Sequence, residues 1–125
     1  MNRKNYLSLL CFAMSLACAA GLLSTPTLAQ SGSQGTVIVT VKDVSGALIQ
    51  DAKLELVDLS TNSVRQAQTE NDGSHRFVNL TIGSYRLTIS KTGYATKVYN
   101  SVVVQASQSN TIAAVLPVGQ VSEVV

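Results

Sequence analysis

From residue 36 onward the chain alternates between apolar and polar positions. "TVIVTVKD" puts Val37, Val39 and Val41 on one face and Thr36, Thr40 and Lys42 on the other, the period of two that a half-buried strand requires. "AKLELVD" repeats the pattern with Leu54 and Leu56 inward and Lys53 and Glu55 outward. "VRQAQTE" is more polar, has Val64 as its best anchor, and predicts an edge strand. "SHRFV", "YRLTISK", "ATKVYNSVVV" and "NTIAAVL" supply four further strands. No window beyond Gln30 shows apolar residues at helical spacing over three turns, and turn residues recur roughly every 8 to 12 positions. The expected fold is all-β, about seven short strands in two antiparallel sheets packed face to face.

The first thirty residues have a different pattern. "MNRKNYL" is a short basic lead, Leu7 to Leu23 is an apolar run, and "STPTLAQ" follows with small residues at Thr27 and Ala29. That order predicts a secretory signal peptide, residues 1–29, cleaved after Ala29, with Ala20 as a nearer alternative. A retained membrane anchor is the competing reading, since the apolar run approaches the length of a membrane span. "SLAC" at Ser15 to Cys18 faintly resembles a lipobox. Residues 30–35, "QSGSQG", form a polar, glycine-rich leader, residues 36–116 the domain, and residues 117–125 a C-terminal tail.

Charge adds little once the leader is set aside. Nine Lys and Arg oppose seven Asp and Glu, and Arg3 and Lys4 account for the excess of two. A balanced domain has no phosphate-tracking stripe, so nucleic acid is not an expected partner. Both cysteines, Cys11 and Cys18, fall in the leader, which leaves the domain without a disulfide, a thiolate metal site or a cysteine nucleophile. Its stability must come from core packing.

Turn chemistry is concentrated in "NDGSHRFVNLTIGSYRL". Asp72 and Gly73 suit a tight turn that would fold the preceding strand into "SHRF" as a hairpin. Gly83 makes the next break, and Tyr85 heads a strand whose Leu87 and Ile89 point the same way. A tyrosine so placed is expected to bury its ring and bond its hydroxyl to nearby backbone. Gly93 marks a further turn in "KTGY".

The segment from "SGALIQDAKLELVD" to "KTGY" resembles a carboxypeptidase regulatory-like domain, an immunoglobulin-like or transthyretin-like β-sandwich. The matched positions are Gly46, Ala52, Thr69, Asp72, Gly73, Phe77, Leu80, Gly83, Tyr85, Leu87, Gly93 and Tyr94, while His75 departs from the pattern, standing where an aromatic is usual. The tail, "VLPVGQVSEVV", is similar to the segment that follows such a domain in TonB-dependent, Oar-like outer-membrane receptors. The resemblance implies a bacterial location in the periplasm, at the outer membrane or outside the cell. It implies an accessory role in binding, spacing or assembly, and no peptidase activity. Partners would be envelope proteins or glycans, with the outer membrane itself involved only if the domain belongs to a larger receptor.

Sharper chemistry finds little support in the residues. His75 is the sole histidine and by parity shares a face with Phe77, which suits the edge of a core better than a general base. No Gly-x-Ser-x-Gly elbow is present. Glu70, Asn71 and Asp72 lack the spacing of a calcium loop, so no metal or cofactor is expected. An internal Lys-to-Asn cross-link between Lys42 and Asn110 is rejected, because Ile89 stands where related pilin-like sandwiches carry the promoting Glu. Tyr94 and Tyr99 remain as candidate platforms for stacking on a sugar ring, which makes a weak carbohydrate-binding module the alternative function. No residue is expected to be catalytic.

Overall fold

Val37, Val39 and Val41 have no exposed surface, and the strand that carries them is the centre of one of two sheets. The computed structural model describes residues 34–119 and 123–125. The signal-peptide reading, with the anchor and lipobox alternatives, lies outside the described residues. The strands are β1 (Gln34–Asp43), β2 (Lys53–Asp58), β3 (Val64–Gln68), β4 (Ser74–Thr81), β5 (Gly83–Ser90), β6 (Lys97–Val104), β7 (Ser109–Leu116) and β8 (Glu123–Val124). One sheet runs β4-β1-β7 and the other β3-β2-β5-β6-β8.

The apolar faces of both sheets meet in one core. Val37, Val39 and Val41 of β1 and Ala114 and Leu116 of β7 face Leu54 and Leu56 of β2, Leu87 and Ile89 of β5, and Val102 and Val104 of β6. Every member of this cluster among the described residues lies between Val37 and Leu116, inside the compact unit Ser31–Val125. The β-sandwich expected from the alternation is the observed architecture.

Its strand directions differ from the expectation in two places. β1 pairs with β7 in parallel through eight residue pairs, from Thr36 opposite Ser109 to Asp43 opposite Leu116. β6 pairs in parallel with β8, Lys97 opposite Glu123 and Val98 opposite Val124. The sheets are therefore mixed. Alternation reports which face is buried but is blind to direction, which is set by how the chain crosses between layers.

Two local features also depart from the sequence pattern. Val64 is half exposed on the outer face, and Ala67 is the β3 residue that packs on the core. Asp72 and Gly73 make a tight turn, yet no hairpin results, because β3 and β4 belong to different sheets. The Gly73 carbonyl accepts the Val41 N–H at 2.8 Å, fastening the turn to β1. A Cβ at Gly73 would stand 3.0 Å from both the Val41 oxygen and the Leu48 Cβ, and its φ of +69° lies in the left-handed region.

Gly35, in the segment expected to be loose, is buried in β1. A Cβ there would lie 2.5 Å from the Gln105 carbonyl oxygen and 2.6 Å from Val104 Cγ1. Only glycine lets β1 and the β6–β7 connection approach this closely.

Candidate functional site

The polar residues that the sequence singles out are drawn into the frame of the sandwich. Asp72 Oδ1 accepts the Ser74 N–H at 2.9 Å and the Ser74 hydroxyl at 2.8 Å. The same device occurs twice more. Asp43 Oδ1 accepts the Ser45 N–H at 2.8 Å, and Asp58 Oδ1 accepts the Ser60 N–H at 2.8 Å and the Ser60 hydroxyl at 2.6 Å. All three spell Asp-x-Ser at a strand end, a repeated signal that sequence reasoning missed. The serine hydroxyls lead the set of donors that hold each of these carboxyls below the usual aspartate range.

Thr69 is buried on the matched stretch and closes the loop between β1 and β2. Its hydroxyl donates to the Ile49 carbonyl at 2.6 Å and accepts the Ala52 N–H at 2.9 Å. Tyr85 buries its ring and donates to the Thr81 carbonyl at 2.8 Å, the corner bond expected of it. Burial is the main cause that pushes its phenol above the ordinary value, with the Asp58 charge second. Gly83 lies between donor and acceptor, and Gly93 accepts the Gly119 N–H at 3.1 Å in the turn before Tyr94.

Arg65 was not foreseen. It stands opposite Leu56 and so on the inner side of β3, and its guanidinium donates to the Val78 and Asn79 carbonyls of β4 at 2.7 and 3.1 Å. It ties the two sheets at the edge of the sandwich. Beside it a hollow of about 200 Å³ is lined by Asp58, Ser60, Thr61, Tyr85 and neighbours. Of the side chains that line it, Asp58, Ser60, Thr61, Arg65 and Tyr85 are already bonded within the chain, and no buried side-chain N or O among the described residues lacks a partner.

His75 faces inward opposite Val39 and meets Phe77 edge-on, ring centroids 4.7 Å apart. This is the core-edge position that parity predicts. No group of three His, Cys, Asp or Glu that could hold a metal occurs among the described residues. Lys42 is opposite Val115 and Asn110 opposite Val37, five register positions apart, which agrees with rejecting the cross-link.

Tyr94 and Tyr99 are both half-buried and packed against the core. Tyr99 is opposite Leu87 while Val102 is opposite Tyr85, so β6 carries an extra residue between them. That bulge turns Tyr99 toward the inner side. Lys97 Nζ lies 5.8 Å from the Tyr99 ring centroid. Neither Tyr94 nor Tyr99 lines the hollow at Asp58.

These features define a β-sandwich module whose landmarks serve its own backbone. The chain belongs to the carboxypeptidase regulatory-like domain family, whose model matches residues 36–117. No curated protein matches the sequence. Among solved structures, a minor pilin of Streptococcus agalactiae is similar at a TM-score of 0.60 and 16% identity, with 74% of this chain and 48% of the pilin covered. The 3-chlorocatechol 1,2-dioxygenase of Rhodococcus opacus is similar at 0.56 and 11% identity, with 70% of this chain and 61% of the enzyme covered. A candidate carbohydrate binding protein of Bacteroides uniformis is similar at 0.54 and 11% identity, with 68% and 42% covered. The chain spans less than two thirds of each, and at these identities the likeness shows the fold alone.

Proposed function

We propose that this chain is an exported, non-enzymatic β-sandwich that acts as an interaction or spacer module of the bacterial cell envelope. The observation that supports it most is the commitment of its polar landmarks. Asp43, Asp58, Asp72, Thr69, Tyr85 and Arg65 all bond to this chain's own backbone. A reactive centre needs groups held in place and left unsatisfied toward a substrate. The basic lead and apolar run before residue 30 support export, and the similarity of the tail to the continuation of TonB-dependent receptors supports an outer-membrane receptor as the larger context. A freestanding secreted domain is the other context, and the reading frame beyond the Val125 codon decides between them.

Cell fractionation with intact mass measurement tests the reading. The expected result is an envelope or secreted protein that begins at Gln30. A full-length protein retained in the cytoplasm contradicts it.

The likeness to the Bacteroides protein and the partly exposed Tyr94 and Tyr99 favour one second reading, a weak glycan binder. Titration of tyrosine fluorescence with glycans separates the two. A saturable response lost in Tyr94→Ala or Tyr99→Ala supports the glycan reading, and a flat response supports the spacer.

A further inference from the structure

Among the described residues, β3, β4 and β7 are the sheet-edge strands of five residues or more, and they are not equally protected. β4 is bent at Asn79, where φ is +56°, and two of its carbonyls are held by Arg65. β3 has five residues and carries Arg65, and its Gln66 amide is drawn to Glu55. β7 has eight residues, no charged side chain and an unbroken register with β1. Natural edge strands are usually blunted by charge, proline, a bulge or shortness. β7 has none of these.

The phase of its hydrogen bonds shows what it offers. The Thr36 N–H bonds to the Gln108 carbonyl at 2.9 Å, with Thr36 opposite Ser109. In a parallel ladder the even-numbered residues of β7 therefore bond β1, and the N–H and C=O groups of Ser109, Thr111, Ala113 and Val115 point the other way. The same four residues are exposed and carry small or β-branched side chains on the outer face.

We propose that β7 is a homodimer interface, pairing antiparallel with β7 of a second copy about a two-fold axis at Ile112. Ser109 then lies opposite Val115 of the second copy and Thr111 opposite Ala113, so all the outward backbone groups pair at once. The occupant follows from charge. Self-pairing of β3 would bring Arg65 close to its own copy and self-pairing of β4 would do the same with Arg76, whereas β7 has nothing to repel itself. Ile112, half-buried in one copy, meets its counterpart across the axis and completes its burial. The result is a continuous six-stranded sheet, β4-β1-β7 joined to β7-β1-β4. The proposal rests on the sheet edge and not on export, so either can fail without the other.

Sedimentation equilibrium on the protein as purified from cells, from about 1 µM to about 1 mM, is the test. The expected result is a concentration-dependent dimer. Ala113→Pro removes an outward N–H that the chain's own sheet does not use, so it should weaken association at least about tenfold and leave the fold intact by circular dichroism. Gln66→Pro, on the β3 edge, should leave association unchanged. Thr111→Lys should weaken it by like charge on an exposed face, which keeps the test valid if the proline variant fails to fold, and Thr111→Lys with Ala113→Glu should restore it. A monomer at every concentration overturns the proposal, as does a dimer that responds to Gln66→Pro and not to Ala113→Pro or Thr111→Lys, or association only with a foreign extended peptide.

Discussion

Tyr85 and Thr81 are joined across the corner that leads from one sheet to the other, the phenolic hydroxyl donating to the Thr81 carbonyl at 2.8 Å. The ring is buried and stands opposite Asp58 at the head of β5, so one residue both fills the core and fixes the angle at which the chain changes layers. Tyr85→Phe keeps the ring and leaves that carbonyl without its donor. The expected loss is about 1 kcal/mol by urea unfolding, with an unchanged circular dichroism spectrum.

The same phenol gives an alkaline prediction. Its pKa is raised in the folded state, chiefly by burial, so the proton is held more tightly than in the unfolded chain. That contribution is fully present below the ordinary value of 10.0 and is lost as pH rises through the higher folded value. Tyr85→Phe should flatten the fall in melting temperature above that pH.

The three Asp-x-Ser turns act at the acid end. Asp43, Asp58 and Asp72 are lowered from 3.8 in the folded state, led in each case by the serine hydroxyl. Stability from a depressed carboxyl is present above that value and disappears as pH falls through the folded one. Ser45→Ala, Ser60→Ala and Ser74→Ala combined should bring the folded values back toward 3.8, seen by carboxyl NMR titration, and make the acid limb of the stability curve shallower.

Gly35→Ala tests the close approach of β1 to the β6–β7 connection. The added methyl would meet the Gln105 carbonyl, a backbone group with little freedom to move. A loss of about 1–3 kcal/mol in chemical denaturation is expected, the cost of overpacking. An effect within about 0.5 kcal/mol would place Gly35 among ordinary surface positions.

Much of this fold was legible because alternation is a direct record of burial. Val37, Val39, Val41, Leu54, Leu56, Leu87 and Ile89 all face the core as their spacing predicts, and His75 sits beside Phe77 on the side that parity assigns. What escaped was information that no single strand contains. The parallel pairing of β1 with β7 and the pairing of β8 with β6 arise from crossings between distant segments. The β6 bulge was equally hidden, for strict alternation from Val102 and Val104 would put Tyr99 on the outer face, and one extra residue reverses that. Gly35 reads as leader because glycine in a polar stretch signals flexibility unless the opposing backbone is known. Arg65 reads as an edge charge, since its acceptors on β4 are 13 and 14 residues away in sequence.

Thr69 offers the most direct measurement of the claim that the landmarks of this domain hold its own backbone together. Its hydroxyl is the buried link between Ile49 and Ala52, and Thr69→Val preserves shape while removing both bonds. Urea unfolding of the variant should show a loss of about 1–3 kcal/mol with an unchanged m-value. Stability within about 0.5 kcal/mol of the parent would contradict the account.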